Sequence, residues 1–390
     1  MTTCLGPITL RLLPLVTLLL AACGGGGEAP ATLPAAASSL PNATAAAATG
    51  EGGNATAAAS VAAAVPAGSA GTAGTLPGAA APAAEIDLPT RLRAVQATAG
   101  GTNNDCTAIR PFYWETGDGV GASAGGSVGR TSAGRAIRAN TPMRYASASK
   151  WLYAAYVAQR RDGALQSVDE RMLSMRSGYV HFTGCQVGQS IDACLAWRRN
   201  DQYEAATDGR FFYNGGHMQK HASLIGLGVL DAPALAAEMR ARLGRDLAID
   251  MKLAWPAGGA AGTPATYAQF LRKMITGELK LGGLLGVHAV CASTTGCEIG
   301  EVLAAPSPAQ ETWHYAAGHW VEDDPKLGDG AFSSAGAFGF YPWIDADRRH
   351  YGIVARDVGH AGADEDGGPG ADSARCGRLI RRAWTTGVAQ

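Results

Sequence analysis

Ser147-Ala148-Ser149-Lys150-Trp151-Leu152-Tyr153-Ala154-Ala155-Tyr156-Val157 begins where the turn-like segment Thr141-Pro142 gives way to an apolar run of helical length. Residues at i and i+3 share one face of a helix, so this spacing brings the Lys150 amine to the Ser147 hydroxyl. A serine oxygen is a poor nucleophile until a neighbouring base takes its proton. Lysine serves as that base only when desolvation or nearby positive charge lowers its pKa. The start of the helix adds partial positive charge and backbone N–H groups beside the same oxygen. An N-cap serine followed by a solvated lysine has the same spelling, so the weight of the pattern comes from its surroundings.

On the N-terminal side of this stretch, residues 111–115 and 120–128 read as paired strands around Gly117-Asp118-Gly119. On its C-terminal side, residues 150–285 read as a mostly helical lobe, with apolar residues three and four apart over 222–225, 233–243 and 266–275. Residues 336–341 and 351–355 read as strands again. Leu88, Leu92 and Val95 mark a helix at the start of the folded part, and Leu379, Ile380, Ala383 and Trp384 another at its end. Strands at both ends with helices between them predict an α+β fold, an α/β sandwich. Its antiparallel sheet is flanked by the N- and C-terminal helices and stands beside the helical lobe, with the site expected in the cleft between lobes.

Several segments that follow Ser147 and Lys150 resemble, in order, the motifs of class C β-lactamase-like serine hydrolases. Residues 161–169 (RDGALQSVD) and 173–179 (LSMRSGY) are the first two, and residues 209–216 (GRFFYNGG) resemble a G-x-x-F-x-Y-S-N region. Residues 260–270 (AAGTPATYAQF) and 332–339 (FSSAGAFG) follow, with the strand-like 345–355 after them, so the resemblance spans most of 86–390. It implies a β-lactamase/transpeptidase-like fold and acyl-serine chemistry, as in penicillin-binding DD-peptidases, class C β-lactamases, family VIII carboxylesterases and amide-oligomer hydrolases. By resemblance Ser147 is the nucleophile, Lys150 its activating partner and Tyr213 the tyrosine that shares proton transfer with the lysine. Setting Phe211 on the motif's phenylalanine gives Tyr213 and leaves Gly215 where the family has asparagine. A shift of one residue restores Asn214 to that place but leaves Phe212 at the tyrosine position; the Tyr213 register is preferred. A phenol of unperturbed pKa near 10 acts as a base only if cations stabilise its anion.

The third motif departs from the family. Where β-lactamases and DD-peptidases carry K-T-G, this chain has Ser334-Ala335-Gly336. Losing a charge-assisted hydrogen bond costs about 1.5–3 kcal/mol, so substrates with a free carboxylate are disfavoured. Gly336 lets the strand approach the substrate, and the N–H groups of Ser147 and Ala337 are the expected oxyanion donors. The expected reaction is cleavage of an ester, or an amide, in a small-molecule or oligomeric substrate. The alternatives are a DD-peptidase or β-lactamase and a catalytically silent envelope-binding protein. No cofactor is implied. His217 and His221, four apart, read as packing histidines rather than ligands, and no metal site is expected. The acidic stretch 364–368, with Asp372, reads as a solvated loop. Trp151, Trp313, Trp320 and Trp343 are candidates for an apolar cleft or for the core.

At the N-terminus, Arg11 precedes a short apolar run, Leu12 to Leu20, and Leu20-Ala21-Ala22-Cys23 resembles the bacterial lipoprotein box. Residues 1–22 are therefore expected to be a lipoprotein signal, with Cys23 lipidated as the first residue of the mature chain. The location implied is the cell envelope, at the outer membrane or its periplasmic face. Residues 23–85, rich in Ala, Gly and Pro, are expected to be a disordered tether with a reach on the order of 45 Å. Residues 86–390 form the hydrolase domain. With 32 basic and 33 acidic residues, no nucleic-acid partner is implied. Setting Cys4 and Cys23 aside leaves six of the eight cysteines, an even number that suits disulfides in an exported protein. Short loops favour Cys185 with Cys194 and Cys291 with Cys297, which leaves Cys106 for Cys376.

Overall fold

Strand β1 (Phe112–Asp118) alternates its side chains between two cores. Phe112 and Trp114 join a cluster with Val95, Ile380 and Trp384, while Tyr113 joins a second cluster with Tyr351, Trp151 and Phe270. That two-residue period is what a strand buried on both faces imposes, and it places β1 inside a sandwich. The structure is a computed structural model and describes residues 86–306, 311–359 and 368–390. The expected signal, the tether and Cys23 lie outside the described residues, as do residues 364–367 of the acidic stretch.

The main sheet has eight strands. After β1 come β2 (Ala122–Val128), β3 (Val290–Cys291), β4 (His314–Ala316), β5 (His319–Glu322), β6 (Ala331–Ser333), β7 (Tyr341–Ile344) and β8 (His350–Ala355). Their order is β2-β1-β8-β7-β6-β5-β4-β3, and every neighbouring pair is antiparallel. Helices α1 (Leu88–Gly100) and α7 (Gly368–Thr386) cover one face through Val95, Ile380 and Trp384. The N-cap side chain of Asp87 accepts from the Thr90 N–H at 2.7 Å, and proline in the first turn completes the start of α1. The other face meets α2 (Ser149–Arg160) and α6 (Pro264–Ile275), with α3 (Ser167–Leu173), α4 (Gly216–Ala222) and α5 (Ala232–Leu243) beyond. Ten successive residues of α2, Ser149 to Ala158, are buried, as expected of a helix apolar on all sides that runs through the centre of a domain.

The predicted sandwich of antiparallel sheet, terminal helices and helical lobe is observed, with local differences: β1 runs on through Gly117 and Asp118, so the hairpin turn falls later, at 119–121. Residues 336–340 are not a strand but a tight loop, closed by Gly336 N–H to Phe340 O and Gly339 N–H to Gly336 O, both 2.8 Å; the strand starts at Tyr341. Strands β3 to β6 were not anticipated, because runs of two to four residues are too short to show an alternation. The three disulfides pair Cys106 with Cys376, Cys185 with Cys194 and Cys291 with Cys297. Among the described residues no single helix is long and apolar enough to cross a membrane.

Candidate active site

Ser147 lies in a 3-10 turn, Ala146–Ala148, that leads directly into α2. A small sheet holds this turn: Met143–Arg144 pairs with Ala260–Gly262, and the Tyr145 N–H donates to Ala260 O at 2.9 Å. The Tyr267 hydroxyl donates to Ala148 O at 2.8 Å, and the Ala260 N–H donates to Ser149 Oγ at 3.0 Å. Ala146 has φ of 46°, a left-handed conformation that costs energy in a residue with a side chain. That strain falls immediately before the serine.

One turn on, Lys150 Nζ donates to Ser147 Oγ and to Ala257 O, each at 3.0 Å. Lys150 is 3 % exposed, and burial pushes its pKa down to about 7. Near neutral pH an appreciable fraction is therefore free amine, the form able to accept a proton. Its Nζ also sits 4.6 Å from the centre of the Tyr213 ring.

Tyr213 arrives from the loop between Phe211–Phe212 and α4, where its N–H donates to Ala304 O at 2.9 Å. Its ring stacks on Trp320 at 5.1 Å. Burial raises the pKa of its hydroxyl to about 12, opposed by the nearby Ser147 hydroxyl and Trp320 indole, so it stands as a neutral phenol. His217 steadies this loop, with Nε2 bonded to Phe212 O at 2.8 Å and Nδ1 to Ser177 Oγ at 2.7 Å. Burial pulls His217 down to about 4, so it is neutral and donates from Nε2. His221 is equally buried, between the Tyr153 hydroxyl and Asp169. Both histidines are engaged in packing and hydrogen bonding.

Ser147 and Tyr213 open on a cavity of about 420 Å³. Trp313 and Trp320 form one wall; Ala335, Ala337, Gly370, Ala371 and Ala374 form another, with Glu311, Arg375 and Arg378 among the remaining lining residues. Ser334 lies behind this surface, 2 % exposed, its hydroxyl donating to Ser147 O at 3.3 Å. Gly336 packs against the Ser147 turn so tightly that a Cβ there would meet Tyr145 O at 2.1 Å. Asn214 faces elsewhere: Oδ1 accepts from the Gly216 N–H at 2.8 Å and Nδ2 donates to Phe182 O at 3.3 Å, so it braces the turn ahead of α4. The structure thus brings Ser147, Lys150, Tyr213 and Ala337 together, with Ser334 and Gly336 in support and Asn214 in a structural position. Trp151 and Trp343 belong to the core. Glu311, Arg375 and Arg378 carried no local signal, since they reach the cavity only through tertiary folding.

No family model matches the sequence, and no curated protein matches it. Solved structures do. A D-amino acid amidase from Ochrobactrum anthropi SV3, complexed with D-phenylalanine, is 11% identical over 75% of this chain and 99% of that one, with a TM-score of 0.54. The octameric penicillin-binding protein homologue from Pyrococcus abyssi is 12% identical over 78% of each chain, with a TM-score of 0.52. A putative β-lactamase from Bacteroides dorei DSM 17855 is 18% identical over 70% of this chain and 94% of that one, with a TM-score of 0.50. At these identities the likeness is one of fold: the chain has the β-lactamase/transpeptidase fold.

Proposed function

We propose that the protein is an exported serine hydrolase, tethered through Cys23, that cleaves an ester or an amide by way of an acyl-enzyme on Ser147. The observation that carries this reading is the contact between Lys150 Nζ and Ser147 Oγ at 3.0 Å, with an amine pushed down to about 7, beside an open cavity. Lys150 takes the hydroxyl proton as Oγ bonds to the carbonyl carbon. Tyr213, a neutral phenol near the same oxygen, passes a proton to the leaving group and is reprotonated from Lys150. The N–H groups of Ser147 and Ala337 receive the developing oxyanion, a role worth about 2.7–4 kcal/mol per donor. Water then attacks the acyl-serine and releases the acid.

Among the described residues the cations lining the cavity, Arg375 and Arg378, are paired with Asp372 and Glu311, and the K-T-G lysine is replaced by Ser334. This favours substrates without a free carboxylate over β-lactams and D-Ala-D-Ala ends. The test is labelling of the purified protein by a fluorophosphonate, with turnover of p-nitrophenyl butyrate compared with labelling by a fluorescent penicillin. Labelling should vanish in Ser147→Ala. Labelling that persists there sinks the assignment, and penicillin labelling without ester turnover turns it toward the DD-peptidase or β-lactamase reading.

A further inference from the structure

We infer that the cavity beside Ser147 accepts an acyl group bearing a protonated amine, with Glu311 as counter-ion, so that the substrate is an ester or amide of an amino acid. The inference rests on the acyl-serine reading and names the substrate class for it. Glu311 lines the cavity yet is only 8 % exposed. Its Oε2 accepts from Trp313 Nε1 at 2.8 Å and from Arg378 Nη2 at 2.6 Å; among the described residues its Oε1 accepts nothing.

Arg378 does not neutralise Glu311 alone. The same guanidinium lies 3.2 Å from Glu322, which is fully buried and also takes Arg381 at 2.8 Å, while Arg381 holds Asp329 at 2.6 Å. Three carboxylates thus share two guanidiniums. The member of the group that fronts the cavity is the one with an oxygen that accepts nothing among the described residues. A carboxylate withdrawn from water and short of positive charge is stabilised by any cation that reaches it, and a ligand ammonium is free to do so.

The neighbouring walls suit such a ligand. Trp313 and Trp320 pack edge to face at 5.9 Å, and Trp320 stacks on Tyr213, so indole and phenol rings adjoin the carboxylate, and ring faces attract cations. The other cation of the lining, Arg375, has a side chain 44 % exposed and is paired with Asp372. The alanine and glycine wall offers the substrate side chain only apolar contact.

The test compares phenylalanine p-nitroanilide, as each enantiomer, with 3-phenylpropionyl p-nitroanilide, the same acyl group without its amine, at pH 7. For at least one enantiomer kcat/KM should exceed that of the deaminated analogue tenfold or more, and Glu311→Gln should reduce that ratio about tenfold or more. General damage to the fold lowers both substrates and leaves the ratio in place. A ratio near one in the wild type, or an unchanged ratio in Glu311→Gln, overturns the inference. Should that variant fail to fold, protection of the wild type decides. 2-Phenylethylamine should slow fluorophosphonate labelling more than 2-phenylethanol at equal concentration, and equal protection counts against the amine. Absence of wild-type labelling defeats the acyl-serine reading itself, whereas labelling with a ratio near one defeats only the amine assignment.

Discussion

Lys150 is held by two acceptors, Ser147 Oγ and Ala257 O, and burial alone accounts for its lowered pKa. Its folded-state value, about 7, lies below the unfolded value near 10.4, so the amine is neutral above about 7 and charged below. The rate of fluorophosphonate labelling should therefore climb as pH rises through about 7 and level off beyond it. A profile flat from pH 6 to 8.5 would remove the lysine from the mechanism. Lys150→Met should lower the labelling rate by about 10²–10⁴, the range for a lost general base. Burying an ammonium is unfavourable, so at pH 6 the methionine variant should melt no lower than the wild type. Calorimetry at that pH checks the claim. At this scale the sequence was informative for Ser147 and Lys150, whose three-residue spacing required no tertiary knowledge, while Tyr213 rested on the preferred one of two registers. Asn214 was harder, because Phe211-Phe212-Tyr213-Asn214 admits two registers and only the fold turns the amide toward Gly216 and Phe182.

Among the elements, the loop after β6 and the start of α3 carry restrictive contacts close to the site. A methyl group at position 336 would lie 2.1 Å from Tyr145 O, so Gly336→Ala must push the loop away from the Ser147 turn. The expected result is a loss of about 1–3 kcal/mol, the usual cost of overpacking, together with a fall in kcat as Ala337 is displaced. Thermal melts and ester turnover measure the two effects separately. Asp169 at the start of α3 is fully buried and joins Arg161 at 2.8 Å to His221 at 2.9 Å. Burial raises its pKa, but the hydrogen bonds from His221 and Arg161 outweigh that and hold it below the usual carboxylate range. A depressed carboxylate contributes stability above its unfolded pKa and loses it as pH falls through the folded value. Asp169→Asn should therefore cost about 3–5 kcal/mol near pH 7, with a smaller deficit as the pH approaches 3. Urea titrations at the two pH values would expose a deficit that fails to shrink. The helices that bear these residues were legible from periodicity, whereas β3 to β6 were hidden by their shortness. Those strands position Glu311, Trp313 and Trp320, so the aromatic and acidic side of the cavity could not be assembled from the sequence.

Across the whole molecule, the Cys106–Cys376 bond ties residues 270 apart in sequence and holds α7 to the segment ahead of β1. The pairing was reached beforehand by assigning the four other cysteines to short loops. Replacing both cysteines by serine should lower stability by about 2–5 kcal/mol, seen as a reduced denaturation midpoint. Because Arg375 and Arg378 flank Cys376 and line the cavity, KM should also rise more than kcat falls. A variant with unchanged KM would uncouple the bond from the substrate wall.

The wall formed by Ala335, Ala337, Gly370, Ala371 and Ala374 has one more implication. The room it leaves consists of side chains the residues do not have, so under the acyl-serine proposal selectivity can be retuned by adding carbon atoms. Valine or leucine at 371 or 374 would subtract volume beside Ser147 without touching Lys150 or Tyr213. An engineer seeking a narrower catalyst would start there, and a lineage drifting toward bulkier acyl groups would have no reason to enlarge those positions.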